Sequence, residues 1–407
     1  MRVAIVSSAY WPIIGGQMIY ARDLAQELVR QGHEVTVATR FTSRLRTSTW
    51  ESLSEVDPEA AYDEDGVQVR VLCPRGLRRL ALLPVCRLHW YSSTDRAAIA
   101  LFRYALLPAL RRAVPACDVI HFNGVGRELF GYAAQALAHE QGVPFIMTTH
   151  VHPGTWGDSP LDFRLYCKAD RILAHTEWEK AFYVAGGVPA SRVEVVGIGV
   201  PNLGAGDGLR AREKHGLGDH PIVLFVARKA HYKGYGLLLE SAPIVWESFP
   251  EVRFVFVGPD QDEPTASQRR LLEDARIIEP GPISNDDRED LYAACTLLCV
   301  PSQAESFGLI YLEAGLHGKP VVALDIGPLR ELIGASGSGI LAESSTPAAV
   351  AAAIMRLLSS ASLAAAMGAA GRQKARAYSP EAIAQRVVSQ YVAGRERCRA
   401  KDGGWAT

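Results

Sequence analysis

The sequence predicts an α/β protein of two Rossmann-like βαβ domains, and three observations carry that reading. Short apolar runs alternate with helix-period segments along nearly the whole chain, the pattern of a parallel sheet. The alternation comes in two series, separated by a glycine-rich polar stretch, 202–208, that reads as a linker. The chain has 407 residues, 48% of them hydrophobic, enough for two domains of ordinary size. The predicted organisation is a first domain over 1–201, a second over 202–379, and a last helix with a polar tail over 380–407.

Composition narrows the function classes. The formal net charge is −1, which excludes a nucleic-acid-coating protein. No run approaches the ~20 apolar residues of a membrane helix. The N-terminus, Met1-Arg2-Val3-Ala4-Ile5-Val6, lacks a signal-peptide pattern and reads directly as a strand. The seven cysteines are scattered, which points to free thiols and a reducing, cytoplasmic setting.

The first series opens with a strand over Val3–Ser7, the loop 10–17 and a helix over Met18–Gln31, whose Ile19, Leu24, Ala25 and Leu28 share one face. Gly15 and Gly16 stand before that helix. A glycine pair there allows close approach of a phosphate, or is a plain turn. After a strand at His33–Ala38, the acidic stretch 51–66 reads as a loop and Val67–Leu72 as a strand. Residues 75–112 hold eight arginines and one acid, Asp95, interleaved with leucines and aromatics. Such a basic amphipathic stretch suits an anionic membrane surface, which would make the protein peripheral at the inner face, or a phosphorylated acceptor. An ordinary domain face with paired arginines reads the same way.

Asp118–Phe122 is the next strand, followed by Asn123. Pro144–His150 is a buried strand with His150 at its C-terminal tip, where open α/β sheets bind ligands. His152 is a rival. A His-x-His metal pair lacks a clear third ligand, so no metal is assigned. His121 and Asn123, ending the neighbouring strand, are candidates for the acceptor side. Thr176 and Glu179 have the spacing of a capping box.

The second series begins with a strand at Ile222–Val226. Its loop carries Arg228, Lys229 and Lys233, cations suited to a diphosphate, and a helix follows from Tyr235. Arg253–Val257 is a strand; Asp260 and Asp262 after it read as a polar turn. An apolar run, 297–300, leads to Pro301-Ser302-Gln303-Ala304-Glu305-Ser306-Phe307-Gly308-Leu309. Here Ser306, Phe307 and Gly308 are predicted to form the first helical turn, whose free N–H groups attract an anion. Glu305 precedes this turn and Glu313 lies within the helix. Residues 348–393 read as largely helical.

The segment from Val300 to Glu313, with Arg228 and Lys233 some 70 residues before it, resembles the signature of the retaining glycosyltransferases of family 4. Nearly the whole chain shares the resemblance. It implies the GT-B architecture, two Rossmann-like domains facing a central cleft, with the last helix crossing back to the first domain. It also implies transfer of a sugar from a nucleoside-diphosphate sugar, UDP- or GDP-linked, to an acceptor hydroxyl, with retention and without a metal or other cofactor. The implied roles follow residue by residue. Arg228 and Lys233 stabilise the departing diphosphate, Glu305 binds sugar hydroxyls and Glu313 the ribose. Ser306, Phe307, Gly308 and Leu309 lie near phosphates and sugar, Pro280 and Gly281 near the base. Gly15 and Gly16 face the phosphates, and His150 the sugar or its phosphate. Two other classes stay open: a phosphorylase or epimerase on the same architecture, and a non-catalytic nucleotide-sugar-binding or membrane-associated scaffold. No lysine site for pyridoxal phosphate is evident, and a scaffold has no need of a leaving-group clamp.

Overall fold

The computed structural model describes residues 1–46, 48–154, 156–201 and 204–403. The chain divides into two units, Met1–Gly199 with Pro380–Thr407, and Val200–Ser379.

Unit 1 contains, in chain order, β1 (Arg2–Ala9), α1 (Gly16–Arg30), β2 (Glu34–Phe41), α2 (Thr49–Ser54), β3 (Ala60–Glu64), β4 (Val67–Val71), α3 (Val85–His89), α4 (Asp95–Ala113), β5 (Val119–Asn123), α5 (Phe130–Gln141), β6 (Phe145–Thr148), α6 (Pro160–Tyr166), β7 (Arg171–Ala174), α7 (Glu177–Ala185) and β8 (Val193–Val195). Its eight strands form one sheet in the order β3-β4-β2-β1-β5-β6-β7-β8. Only the edge strand β3 is antiparallel. β1 is paired on both sides and buried along most of its length, as expected of a strand covered on both faces.

Unit 2 follows with α8 (Gly208–Lys214), β9 (Ile222–Val226), α9 (Tyr235–Ser248), β10 (Arg253–Val257), α10 (Ala266–Leu271), β11 (Ile277–Ile278), α11 (Asn285–Ala294), β12 (Leu297–Cys299), α12 (Leu309–Leu316), β13 (Val321–Leu324), α13 (Gly327–Leu329), β14 (Gly339–Ala342), α14 (Pro347–Leu358) and α15 (Ala361–Arg376). Its strands run β11-β10-β9-β12-β13-β14, all parallel. This is the order of a doubly wound sheet, with its reversal point between β9 and β12. The last helix, α16 (Pro380–Gly403), belongs to unit 1 and lies on α1, β6 and β7.

Three sequence expectations change. The stretch 51–66 is not a plain loop: it holds the end of α2 and all of β3. Ser48 and Glu51 cap α2 reciprocally, and the acids of β3 sit on an exposed edge strand where they need no partner sheet. Thr176 does cap α7, but Glu179 turns to the amide of His175 instead of completing the box. The polar tail continues as helix to Gly403; 404–407 lie outside the described residues. So do Asn202 and Leu203 of the predicted linker. The rest of that stretch is pinned on α11: Gly204 N donates to Glu289 at 2.7 Å and Asp207 N to Asp290 at 2.6 Å.

No single helix among the described residues is long and apolar enough to cross a membrane. The bent pair α14 and α15 has such a composition, but packs on α9 and α12 within unit 2. In the basic stretch, Arg75 makes a fork to Glu59 and Arg111 one to Glu140. Arg78 lies over the ring of Tyr104. Leu77, Leu80, Leu83, Trp90, Tyr91 and Tyr104 are exposed there.

Candidate active site

In unit 2 the reversal point brings two loops together. The loop leaving β9 carries Arg228 and Lys233; the loop leaving β12 carries Ser302 and Glu305. The Tyr232 carbonyl accepts from Gln303 N at 2.8 Å. Gly234 has φ +75°, and a Cβ there would stand 2.2 Å from the Pro301 carbonyl oxygen. Only glycine lets the loops approach so closely. Lys233 Nζ then reaches Glu305 Oε1 at 2.6 Å, and Ser302 Oγ donates to the same oxygen at 2.8 Å. Arg228 is exposed and donates to the Tyr232 hydroxyl at 2.6 Å. Lys233 lies 5.2 Å from the centre of the same ring. Two cations thus converge on one aromatic side chain, and one of them holds a carboxylate.

The third cation of this loop does other work. Lys229 is buried between Asp260 at 2.6 Å and Glu279 at 3.1 Å. Burial pulls its pKa down, but the hydrogen bonds to Asp260 and Glu279 outweigh that and raise it. Asp262 accepts from the His231 amide. Both aspartates of the D-x-D are therefore spent on holding the cationic loop.

Glu313 lies buried in α12 and accepts from the Tyr292 hydroxyl at 2.8 Å. The first turn of α12 is not Ser306-Phe307-Gly308, as the sequence suggested, but Leu309-Ile310-Tyr311. Gly308 is the N-cap, at φ +98°, a conformation that ends the loop and cannot start a helix. Ser306 and Leu309 are half-buried, while Phe307 is buried, its ring 5.4 Å from that of Tyr378. Pro280 and Gly281 follow β11 at the sheet edge, directly after Glu279, which accepts from Lys229 and Tyr235 of the β9 side at 3.1 and 3.0 Å.

Unit 1 has its own reversal point, between β1 and β5. Asn123 ends β5, its Nδ2 donating to the Gln17 carbonyl at 3.0 Å. Its Oδ1 therefore faces His150 Nε2, 2.9 Å away, and must accept that N–H. His150 Nδ1 is left to accept from His175 Nε2 at 3.1 Å. His150 is buried at φ +50°, an uncommon backbone for a side chain of this size. Burial, then the charge of His175, holds its pKa well below the ordinary value, so the ring is neutral. His152 Nδ1 donates to the His150 carbonyl at 3.2 Å. Gly15 is extended (φ 179°) and an added Cβ at Gly16 would meet open space. An added Cβ at Gly15 would stand 3.2 Å from Met18 Sδ, the flexible end of a side chain, so the backbone demands glycine at neither position.

His121 does not line an acceptor surface. It is fully buried, with Nδ1 2.7 Å from the Tyr391 hydroxyl and Nε2 2.9 Å from Thr148 Oγ1. Burial lowers its pKa to about 3. Asn123 is likewise fully buried and acts by holding His150. Tyr232, Ser302, Tyr292 and His175 were not legible as site residues, because no local spacing marks them.

Residues 209–374 match the family model described as glycosyl transferases group 1, and residues 15–199 the glycosyl transferase 4-like domain. A D-inositol 3-phosphate glycosyltransferase of Acidothermus cellulolyticus is 31% identical over 84% of this chain and 78% of its own. A similarly named enzyme of Catenulispora acidiphila is 28% identical over 95% and 93%. Among solved structures, sucrose-phosphate synthase from Thermosynechococcus elongatus superposes with a TM-score of 0.69 at 22% identity, covering 96% of this chain and 98% of that one. Anabaena HepE in complex with UDP and glucose gives 0.69 at 18%, covering 97% and 100%. At these identities the structures speak for the fold.

Proposed function

Because the chain belongs to the family 4 glycosyltransferases, with their GT-B fold, we propose that it moves a sugar from a nucleoside-diphosphate sugar to an acceptor hydroxyl, retaining the anomeric configuration and using no metal. The observation that carries this reading is the meeting of Arg228, Lys233 and Glu305 at the β9–β12 reversal point. Two cations there suit a departing diphosphate, in the place a divalent ion would otherwise take. The carboxylate that Lys233 orients suits sugar hydroxyls, and Glu313, held by Tyr292, suits the ribose. The N–H groups opening α12 add donors for the phosphates. His150 and the Gly15–Gly16 turn take the roles on the donor that the resemblance implies.

In the reaction the acceptor oxygen bonds to the anomeric carbon as the bond from that carbon to the diphosphate oxygen breaks. The acceptor proton leaves with the diphosphate on the same face. No side chain has to act as nucleophile, and positioning with electrostatic stabilisation supplies the catalysis. The relatives' names include inositol-phosphate acceptors, and HepE was solved with UDP and with UDP-glucose, which supports UDP as the first donor base to test.

A thermal-shift screen against UDP, GDP, ADP and CDP, with EDTA present, tests the donor assignment. One diphosphate is expected to raise the midpoint by mass action. No shift from any of them would remove the donor site. Proton NMR of the product then reads the anomeric configuration.

A further inference from the structure

Unit 1 holds a pocket of about 630 Å³ to which the basic stretch 75–112 contributes His89, Trp90, Ser92 and Asp95, but which none of the individually predicted site residues lines. Its size is within the ~300–1,000 Å³ of small-molecule sites. Ser8, at the end of β1, and Gln17, at the start of α1, bring it to the β1–β5 reversal point. Beside them stands Glu128, whose Oε2 accepts from Ser8 Oγ. Away from this end the wall is mixed: Met18, Phe41, Leu45, Leu53, Trp90 and Trp156 supply apolar surface, interleaved with hydroxyls and with charged side chains. Leu45 and Trp90 are 49% and 68% exposed and form the rim.

The charges on the wall decide what such a pocket accepts. Arg46 is already committed to Glu55 and Asp57, each at 2.7 Å. Arg127 is committed to Asp158 at 3.3 Å and Asp162 at 3.2 Å, and its guanidinium lies over Trp156. Burial lowers the pKa of His89, the other basic group on the wall among the described residues. Asp95 is matched by Arg164 at 2.8 Å. Each wall arginine thus carries two carboxylates, and Glu128 adds another acid. Among the described wall residues a phosphate dianion would meet no arginine without carboxylate partners and would have to displace a carboxylate. The relatives named for inositol 3-phosphate act on a phosphorylated acceptor, the opposite of what this wall suits.

We propose that the acceptor of this enzyme is an unphosphorylated alcohol with an apolar body, seated against Trp90 and Trp156 with its hydroxyl on Glu128. Its role as acceptor rests on the transferase reading above; the pocket's preference for it rests on the wall alone. Such an alcohol could be a soluble aglycone or a membrane lipid, and the shared chemistry is an apolar body ending in one hydroxyl.

The test is calorimetric titration of the full chain, with and without UDP, using four probes. These are 4-methylumbelliferone, 1-octanol, phosphatidylcholine vesicles containing dioleoylglycerol, and D-myo-inositol 3-phosphate. At least one of the first three is expected to bind, and Trp90→Ala or Leu45→Asp, both at the exposed rim, to weaken it tenfold or more. Binding of a soluble alcohol assigns an aglycone; binding of the vesicles alone, over vesicles without dioleoylglycerol, assigns a lipid. The proposal fails if none of the three binds, if both rim variants bind like the parent, or if inositol 3-phosphate binds and displaces the others. A nucleotide-induced thermal shift that persists in that failure leaves the transferase reading standing. Alcohol binding at Trp90 without any nucleotide shift keeps the pocket and removes the transferase reading.

Discussion

Lys233 Nζ and Glu305 Oε1 lie 2.6 Å apart across 72 positions of sequence. The pair exists because parallel strands β9 and β12 are neighbours and both release their loops at the same sheet end. Its side chains are 16% and 8% exposed, so each partner is partly desolvated and holds the other in place. On the proposed roles, Lys233→Met removes a diphosphate cation, and it also loosens Glu305. We expect kcat/KM to fall by ~10²-fold or more, with cooperative melting retained. The double variant with Glu305→Gln should lose less than the product of the two single losses. Multiplicative losses would show that the two side chains act separately.

Glu313 tests the nucleoside end. Its carboxylate accepts from Tyr292 in a buried setting. If Glu313 holds ribose hydroxyls, UDP should bind the parent tighter than 2′,3′-dideoxy-UDP, and Glu313→Ala should bring that ratio close to one. Tyr292→Phe leaves the carboxylate short of a donor and should cost ~1–3 kcal/mol of stability. An unchanged ribose preference in Glu313→Ala would make Glu313 a structural glutamate.

How much of this was legible depended on the range of the interactions. Ile222–Val226 and the helix start at Tyr235 were readable, because a central parallel strand is a continuous apolar run and the cationic loop 227–234 separates it from the next apolar segment. The stretch 51–66 was not, because a six-residue helix and an edge strand leave little hydrophobic period to read. Arg228, Lys233, Glu305 and Glu313 were visible as a spaced set. Their holders Tyr232, Ser302 and Tyr292 were not, since an ordinary tyrosine or serine gains its role only from what the fold sets beside it. His121 was misread for the same reason: its partner Tyr391 is 270 residues away.

That His121–Tyr391 contact ties α16 to the middle of the unit 1 sheet. Tyr391 is fully buried, and its hydroxyl and the His121 ring satisfy each other at 2.7 Å. Tyr391→Phe keeps the packing and strands one ring nitrogen, so a loss of ~1–3 kcal/mol is expected in chemical unfolding. Nucleotide binding by the folded protein should not change, because neither residue is among those proposed to touch the donor. A weaker UDP or GDP shift in this variant would give the contact a functional role.

Glu128 sets a pH dependence of opposite sign to that of an ordinary surface carboxylate. Burial raises its pKa from 4.5 to about 7, against the hydrogen bond from Ser8 and the charge of Arg40, which lower it. The folded protein therefore binds a proton that the unfolded chain has released between about pH 4.5 and 7. Its contribution to stability is fully present below pH 4.5 and is lost as pH rises through about 7. The total swing is at most about 3 kcal/mol. Glu128→Gln carries no such proton, so its midpoint relative to the parent should climb as pH goes from 5 to 8. The same titration acts on the pocket: an alcohol that donates to the carboxylate should bind the parent more tightly above pH 7, and the Gln variant equally at both ends. Parallel melting curves for parent and variant across this range would mean that Glu128 titrates like an exposed acid and that the polar end of the pocket is wetter than its geometry suggests.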